Sequence, residues 1–307
     1  MLLLKNEITS FVSTNLAQPV AEWLPKNTYN AGDYAMKDHH EYLCITNHNK
    51  GIDPTLNTGR WLMMQVANAS ACIDVRSETY THIDKGLNHI EITFDAIGFD
   101  TLAFEGVVGG VLTVIEKDSK GHQLKHKDYK AGAVRICSKD WWHYFYCPIP
   151  NANAVGSKEA MDILIEALDP KTSTITIKLT KNGDGVSKIG SMVGGKSLDM
   201  GATEFGVDLE LIDYSIIKRD KNGIIEKMEH RDCVEKMSVE CTMPAKASMG
   251  IKRTVKKELA NPCLFIVDPS KDSNYENLII LGFITKYKQV YNNNVIVKTI
   301  VDIEELI

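Results

Sequence analysis

Apolar and polar positions alternate with a period of two along much of the chain. His89-Ile90-Glu91-Ile92-Thr93-Phe94-Asp95 and Thr174-Ile175-Thr176-Ile177-Lys178-Leu179-Thr180 read as half-buried strands. Gly110-Val111-Leu112-Thr113-Val114-Ile115 is a near-continuous apolar run, which predicts a strand covered on both faces, and Lys117-Asp118-Ser119-Lys120-Gly121 follows it as a turn. Asn182-Gly183 and Asn222-Gly223 tolerate positive φ, so each predicts a hairpin turn, the second between residues 213–217 and 224–228. Near the end, residues 278–284 and 295–302 form two more strand-like runs around Tyr291-Asn292-Asn293-Asn294.

Helical spacing is rare. Residues 157–168 read either as a helix or as a loop with one turn. Residues 247–259 place Met249, Ile251, Val255 and Leu259 among Lys252, Arg253, Lys256 and Lys257, the pattern of an amphipathic helix with a solvated basic face. The expected fold class is mainly β: a small aromatic-core β module followed by two β-sandwich-like domains, with few helices. The expected divisions are an N-terminal arm over 1–20, the module over 21–66, a β-sandwich-like domain over 67–190 and a β-rich domain with one helix over 191–307. Gly190-Ser191-Met192-Val193-Gly194-Gly195-Lys196 is the most linker-like stretch, or else a last strand passing between layers.

Composition narrows the function classes. The 307 residues carry net charge −5, with 44% apolar and 24% charged residues, enough for two or three packed cores. A mildly acidic chain argues against a nucleic-acid surface. No apolar run reaches about 18 residues, so no membrane insertion is expected. Met1-Leu2-Leu3-Leu4 lacks the basic start and long apolar stretch of a signal peptide and reads as a short strand. The seven cysteines show no paired spacing; buried free thiols made in a reducing cytoplasm are the simplest reading, one incidental disulfide the alternative.

The most specific segment is Trp23-Leu24-Pro25-Lys26-Asn27-Thr28-Tyr29-Asn30-Ala31-Gly32-Asp33-Tyr34, followed by Tyr42-Leu43-Cys44-Ile45, Asp53-Pro54 and Trp61. A unit this small buries little area, so large aromatics must carry its core, while Gly32 supplies a turn conformation that Asp33 caps. The segment resembles the small chitin-binding or carbohydrate-binding module of chitinases and many phage tail proteins. That resemblance makes Trp23, Tyr29, Tyr42 and Trp61 candidates for glycan binding, since aromatic rings stack on sugar rings, or else simply for the module core. The middle loop Thr46-Asn47-His48-Asn49-Lys50-Gly51-Ile52 carries no aromatic but His48, which weighs toward the core.

The remainder is similar to a family of bacteriophage virion proteins that open with the same module-like segment. The similarity rests on Trp141-Trp142-His143-Tyr144-Phe145-Tyr146 leading to Pro148, then 189–195, then 198–207, then Ile212-Asp213-Tyr214-Ser215 before a charged hairpin. The closing pattern also resembles distal-tail or baseplate ring subunits. The resemblance implies a non-enzymatic structural protein of the virion tail, made in the host cytoplasm. Its partners would be other tail or virion proteins and further copies in a homo-oligomeric ring, with a host-surface glycan as the alternative ligand. Strand alternation puts aromatics on both faces of residues 141–146, so Trp142 and Tyr144 are candidates for a subunit interface, with core packing as the plainer reading.

Catalytic and metal patterns are weak. Gly190-Ser191-Met192-Val193-Gly194-Gly195-Lys196-Ser197 has the spacing of a phosphate loop, but no strand–loop–helix context surrounds it. His39-His40 with His48, and His122 with His126, lack carboxylates or cysteines at ligand spacing. No cofactor, metal or catalytic residue is expected.

Overall fold

The computed structural model describes residues 1–17, 20–74, 81–84, 86–130, 161–181, 187–204, 206–219, 221, 225–231, 233–267, 278–291 and 295–306. The protein is mainly β, with antiparallel sheets dominating. Trp142 and Tyr144 lie outside the described residues. No helix among the described residues is long and apolar enough to cross a membrane.

Three sheets stack face to face. The first is five-stranded, in the order Gln123–Lys130, Val111–Lys117, Thr174–Thr180, His89–Asp95 and Ser13–Thr14. Its alternating residues Ile90, Ile92, Phe94, Leu112, Val114, Ile175, Ile177 and Leu179 are buried on one face. They meet Leu102, Phe104, Ile163, Ile165 and Met192 of a three-stranded sheet ordered Met161–Glu166, Thr101–Val107 and Ser191–Gly195. The intervening residues of that middle sheet, Ala103, Leu164 and Val193, point the other way, onto Leu4, Leu264, Ile266 and Leu281 of a third sheet. The middle sheet is thus apolar on both faces and shared by two sandwiches.

Two sequence expectations meet the structure here. Residues 161–166 form a strand rather than a helix or one-turn loop, because Ile163 and Ile165 face one sheet and Leu164 the other. That is period two, and a short apolar run with both faces covered carries no periodicity to separate the two states. The Gly-rich stretch around 190–196 is a strand passing between layers, Ser191–Gly195. Its glycines answer to packing: a Cβ on Gly194 would meet Ile8 and Leu102 at 3.0 Å, and one on Gly195 would meet the Lys5 carbonyl at 2.7 Å.

The third sheet is eight-stranded among the described residues, with central order Ser197–Asp199, Leu2–Lys5, Cys263–Ile266, Ile279–Tyr291, Ile296–Glu305, Cys233–Pro244 and Ala202–Thr203. Asp208–Asp213 also pairs with Cys233–Pro244. Residues 2–5, within the expected N-terminal arm, are an interior strand here, with neighbours on both sides. Helix α1, Ala245–Glu258, covers the far face by packing Ile251 and Val255 over Met237, Val239, Cys241, Met243 and Val301. Burying two such branched side chains contributes about 3–6 kcal/mol in all. Ala260 at φ 65 ends the helix, and the Asn261 side-chain amide donates to the Lys257 carbonyl at 3.2 Å.

Candidate functional site

The aromatic module is a three-stranded antiparallel sheet of Tyr34–Lys37, His40–Cys44 and Trp61–Val66, with a two-stranded ribbon, Thr28–Tyr29 with Asn49–Lys50, beside it. Asp38 and His39, at φ 49 and 69, form the two-residue turn joining Lys37 to its partner His40. Both central residues at positive φ match the twist of the flanking strands. Gly32 sits at φ 96, where a side chain is strained, and the Asp33 carboxylate accepts the Asn30 N–H at 2.7 Å.

Side chains of one sheet face make the module core. Ala35, Tyr42, Cys44 and Trp61 cluster there with Tyr29, and Trp23 packs against the group. Trp61 is 1% exposed, and its ring meets Tyr29 edge-on at 5.2 Å. Its indole N–H donates to the Ile52 carbonyl at 3.1 Å, and the Tyr29 hydroxyl accepts the Leu24 N–H at 2.9 Å. Trp23 is half-buried under the Lys37 ammonium, which stands 4.6 Å above its ring and pairs with Asp53. The Lys37 hydrogen bond, with help from Thr55, holds the Asp53 carboxyl below the usual aspartate range. The four aromatic candidates are therefore together, but three are buried and the fourth is capped by a cation.

The middle loop is held by Asn49, which is 1% exposed. Its amide nitrogen donates to the Thr46 carbonyl at 3.0 Å and to Cys44 Sγ at 2.9 Å, while its oxygen accepts from Arg60 Nη1 at 3.0 Å. The module joins the sandwiches through His39. Its carbonyl accepts the Ala67 N–H, and its Nε2 and Nδ1 lie 2.8 Å from the Thr9 carbonyl and 3.0 Å from Ser70 Oγ. A carbonyl can only accept, so Nε2 carries a proton and donates it to Thr9.

The opposite sheet face offers a surface that the aromatic pattern does not mark. Tyr34, Leu43 and Leu62 are paired across the three strands in one row. Tyr34 is 50% and Leu62 is 52% exposed, and Ile45, two residues beyond Leu43, is 46% exposed. An exposed phenol ring flanked by apolar side chains can receive a flat apolar ring face or an apolar side chain. Only the alternation about Ala35 signals this in the sequence, and alternation does not say which face is outside.

A second exposed apolar surface lies on a β arm. Asp208–Asp213 continues into the hairpin Ile216–Arg219 with Ile225–Glu229, whose register pairs Ile217 with Met228. Leu211 is 63% exposed, and Leu209, Tyr214, Ile217, Ile225 and Met228 are each exposed as well.

The histidines singled out in the sequence meet one neighbour or two apiece, mostly close in sequence. His122 faces Asp118 at 3.2 Å and His126 faces Asp128 at 3.3 Å, all within one exposed hairpin. No group of three metal-ligating side chains occurs among the described residues. Cys44, Cys72, Cys241 and Cys263 are buried free thiols, whereas Cys233 is exposed, contrary to the expectation of burial. Cys137 and Cys147 lie outside the described residues. Comparison with protein-family models and with curated proteins finds no match to this chain.

Proposed function

We propose that this chain is a structural subunit of a bacteriophage virion, a tail, tail-tip or baseplate ring component that works by assembling with other copies and other tail proteins. The observation that carries the proposal is the β arm. A two-stranded ribbon is marginal in water unless something covers it, and this one is exposed at every position of Ile225–Glu229. Its wet apolar side chains, Leu211, Ile217 and Met228 among them, suit a surface that a neighbour completes. Trp142 and Tyr144 are further contact candidates on the sequence alone.

The test is electron microscopy of purified particles together with peptide mass spectrometry of their proteins. The expected result is the chain in a defined ring position. Replacing residues 214–231 by a two-residue turn should leave a folded chain that no longer enters particles, as should polar substitution of Trp142 and Tyr144. Absence of the chain from purified virions overturns the proposal.

The exposed Tyr34 row favours a second reading, a carbohydrate-binding protein that attaches to a host-surface glycan. In that reading Tyr34→Ala abolishes binding to a glycan array while Trp61→Phe, inside the core, leaves it unchanged.

A further inference from the structure

Helix α1 turns toward solvent a face whose charged groups are all cations. Lys246, Lys252, Arg253, Lys256 and Lys257 are exposed, and none has an ion-pair partner among the described residues. Lysines elsewhere on the surface are matched: Lys125 with Glu116, Lys286 with Asp302, Lys298 with Glu204 and Glu240. The one acidic residue of α1, Glu258, is buried and held by Lys5 at 3.1 Å. Glu235 and Glu305 share the sheet face that α1 covers, two residues beyond Met237 and Ile303. Burial and the neighbouring Glu235 hold Glu305 above the usual glutamate range, with no cation lowering it. The cations of α1 are therefore not matched from below.

This arrangement is unfavourable for the helix by itself. Lys252 with Lys256 and Arg253 with Lys257 are like charges four residues apart, which repel across one turn. The helix dipole compensates Lys256 and Lys257 in the last turn, but it opposes Lys246 in the first. Gly250, exposed in the middle of the same helix, weakens it further. Nothing in the chain lies within 4 Å of where its Cβ would stand, so no internal packing calls for glycine there.

We propose that α1 is a docking surface for duplex nucleic acid, held through its phosphate backbone without regard to base sequence. The five cations span about 16 Å of helix axis, roughly one per 4 Å. Each strand of a duplex presents one phosphate per about 3.4 Å, a closely similar density. From Lys252 to Lys257 the cations cover an arc of about 140° around the axis. A helix seated in a major groove about 12 Å wide therefore reaches phosphates on both sides. Gly250 lets a ligand approach the backbone closely on that face. The apolar side of α1 is already packed on Met237, Val239, Cys241 and Met243, which leaves no apolar face to insert into a lipid surface. The net charge of −5 is an average over the whole chain and does not describe this face. The contact is separate from the virion role, and its test needs no particle.

Fluorescence anisotropy of a short labelled DNA duplex with the purified full chain decides it. The chain should bind at about 50 mM salt, and its association constant should fall as salt rises with a log–log slope of about −4, the value for five phosphate contacts. K252Q/R253Q/K256Q keeps two of the cations, so its slope should shrink to about −2 and its affinity should fall at least about tenfold. A second duplex of unrelated sequence should bind within about twofold of the first. K120Q/K125Q/K127Q, the same charge change on the exposed hairpin around His122, should bind like wild type. Both triple changes lie at exposed positions, so circular dichroism should show the wild-type fold. A wild-type chain that leaves the duplex free at about 50 mM salt overturns the proposal. K252Q/R253Q/K256Q binding like wild type does so too, as does a difference of about a hundredfold between the two duplexes. A preference of about tenfold or more for anionic lipid vesicles, polyglutamate or polyglycerol phosphate over the duplex also overturns it, and assigns α1 to a membrane, an acidic protein or a wall polymer.

Discussion

Buried polar side chains decide how individual residues hold this protein together. Glu116 is 2% exposed, yet its carboxylate accepts the Asp169 N–H at 2.8 Å and the Thr172 hydroxyl at 3.0 Å, which fixes the turn before Thr174–Thr180. Glu116→Ala leaves both donors unsatisfied and should cost about 2–3 kcal/mol in urea unfolding, with Glu116→Gln milder because an acceptor remains. Trp61→Ala should cost about 3–5 kcal/mol, since it empties the centre of the module core. The thiols divide by burial in the same way. Burial pushes Cys72 up to about 11 and Cys263 up to about 12, so neither forms thiolate near neutrality. Among the five described cysteines, maleimide labelling mapped by mass spectrometry should therefore modify Cys233 in native protein and the other four only in denaturant. Early labelling of Cys72 or Cys263 would contradict the packing. The aromatic cluster was legible from residue types, because a unit of that size has few other groups able to fill a core. Tyr34 was not, for its neighbours Asp33 and Ala35 say nothing about which face meets solvent.

At the scale of elements, strands with one solvated face and the helix at 245–258 were readable because their periods are distinct. Residues 161–166 were not, because a middle sheet covered on both faces erases the alternation that identifies a strand. The Asn222-Gly223 hairpin was visible as a turn, whereas its exposure depends on what packs beside it, which no local pattern encodes. That exposure has a measurable consequence. Ile217→Lys and Leu211→Lys, at positions 46% and 63% exposed, should each change stability by no more than about 0.5 kcal/mol, far less than buried apolar positions allow. A loss above about 2 kcal/mol in either would mean that the arm is part of the subunit core.

For the molecule as a whole, acid should loosen the eight-stranded sheet. Asp302 is partly buried, which alone would raise its pKa, but hydrogen bonds from Ser238 at 2.7 Å and from Lys286 hold it below the aspartate value of 3.8. A carboxyl with a depressed folded value contributes stability that is fully present above its unfolded pKa and is lost as pH falls through the folded one. Glu305 acts oppositely: burial raises it above 4.5, so its charge weakens the fold as pH rises past that value. The aspartate contribution should dominate below pH 4, where urea midpoints of Asp302→Asn should fall less steeply than those of wild type. The order of the sheet also sets a timetable for synthesis. Leu2–Lys5 lies between Ser197–Asp199 and Cys263–Ile266, with Leu3 opposite both Leu198 and Phe265. During synthesis Leu2–Lys5 thus waits for partners made much later in the sequence, and closing so long a loop is slow whatever the final stability. During that wait an apolar strand stands without its partners, so a chain stalled before residue 263 should be prone to aggregation, and unfolded protein should refold in a slow final step that brings Leu2–Lys5 onto Cys263–Ile266.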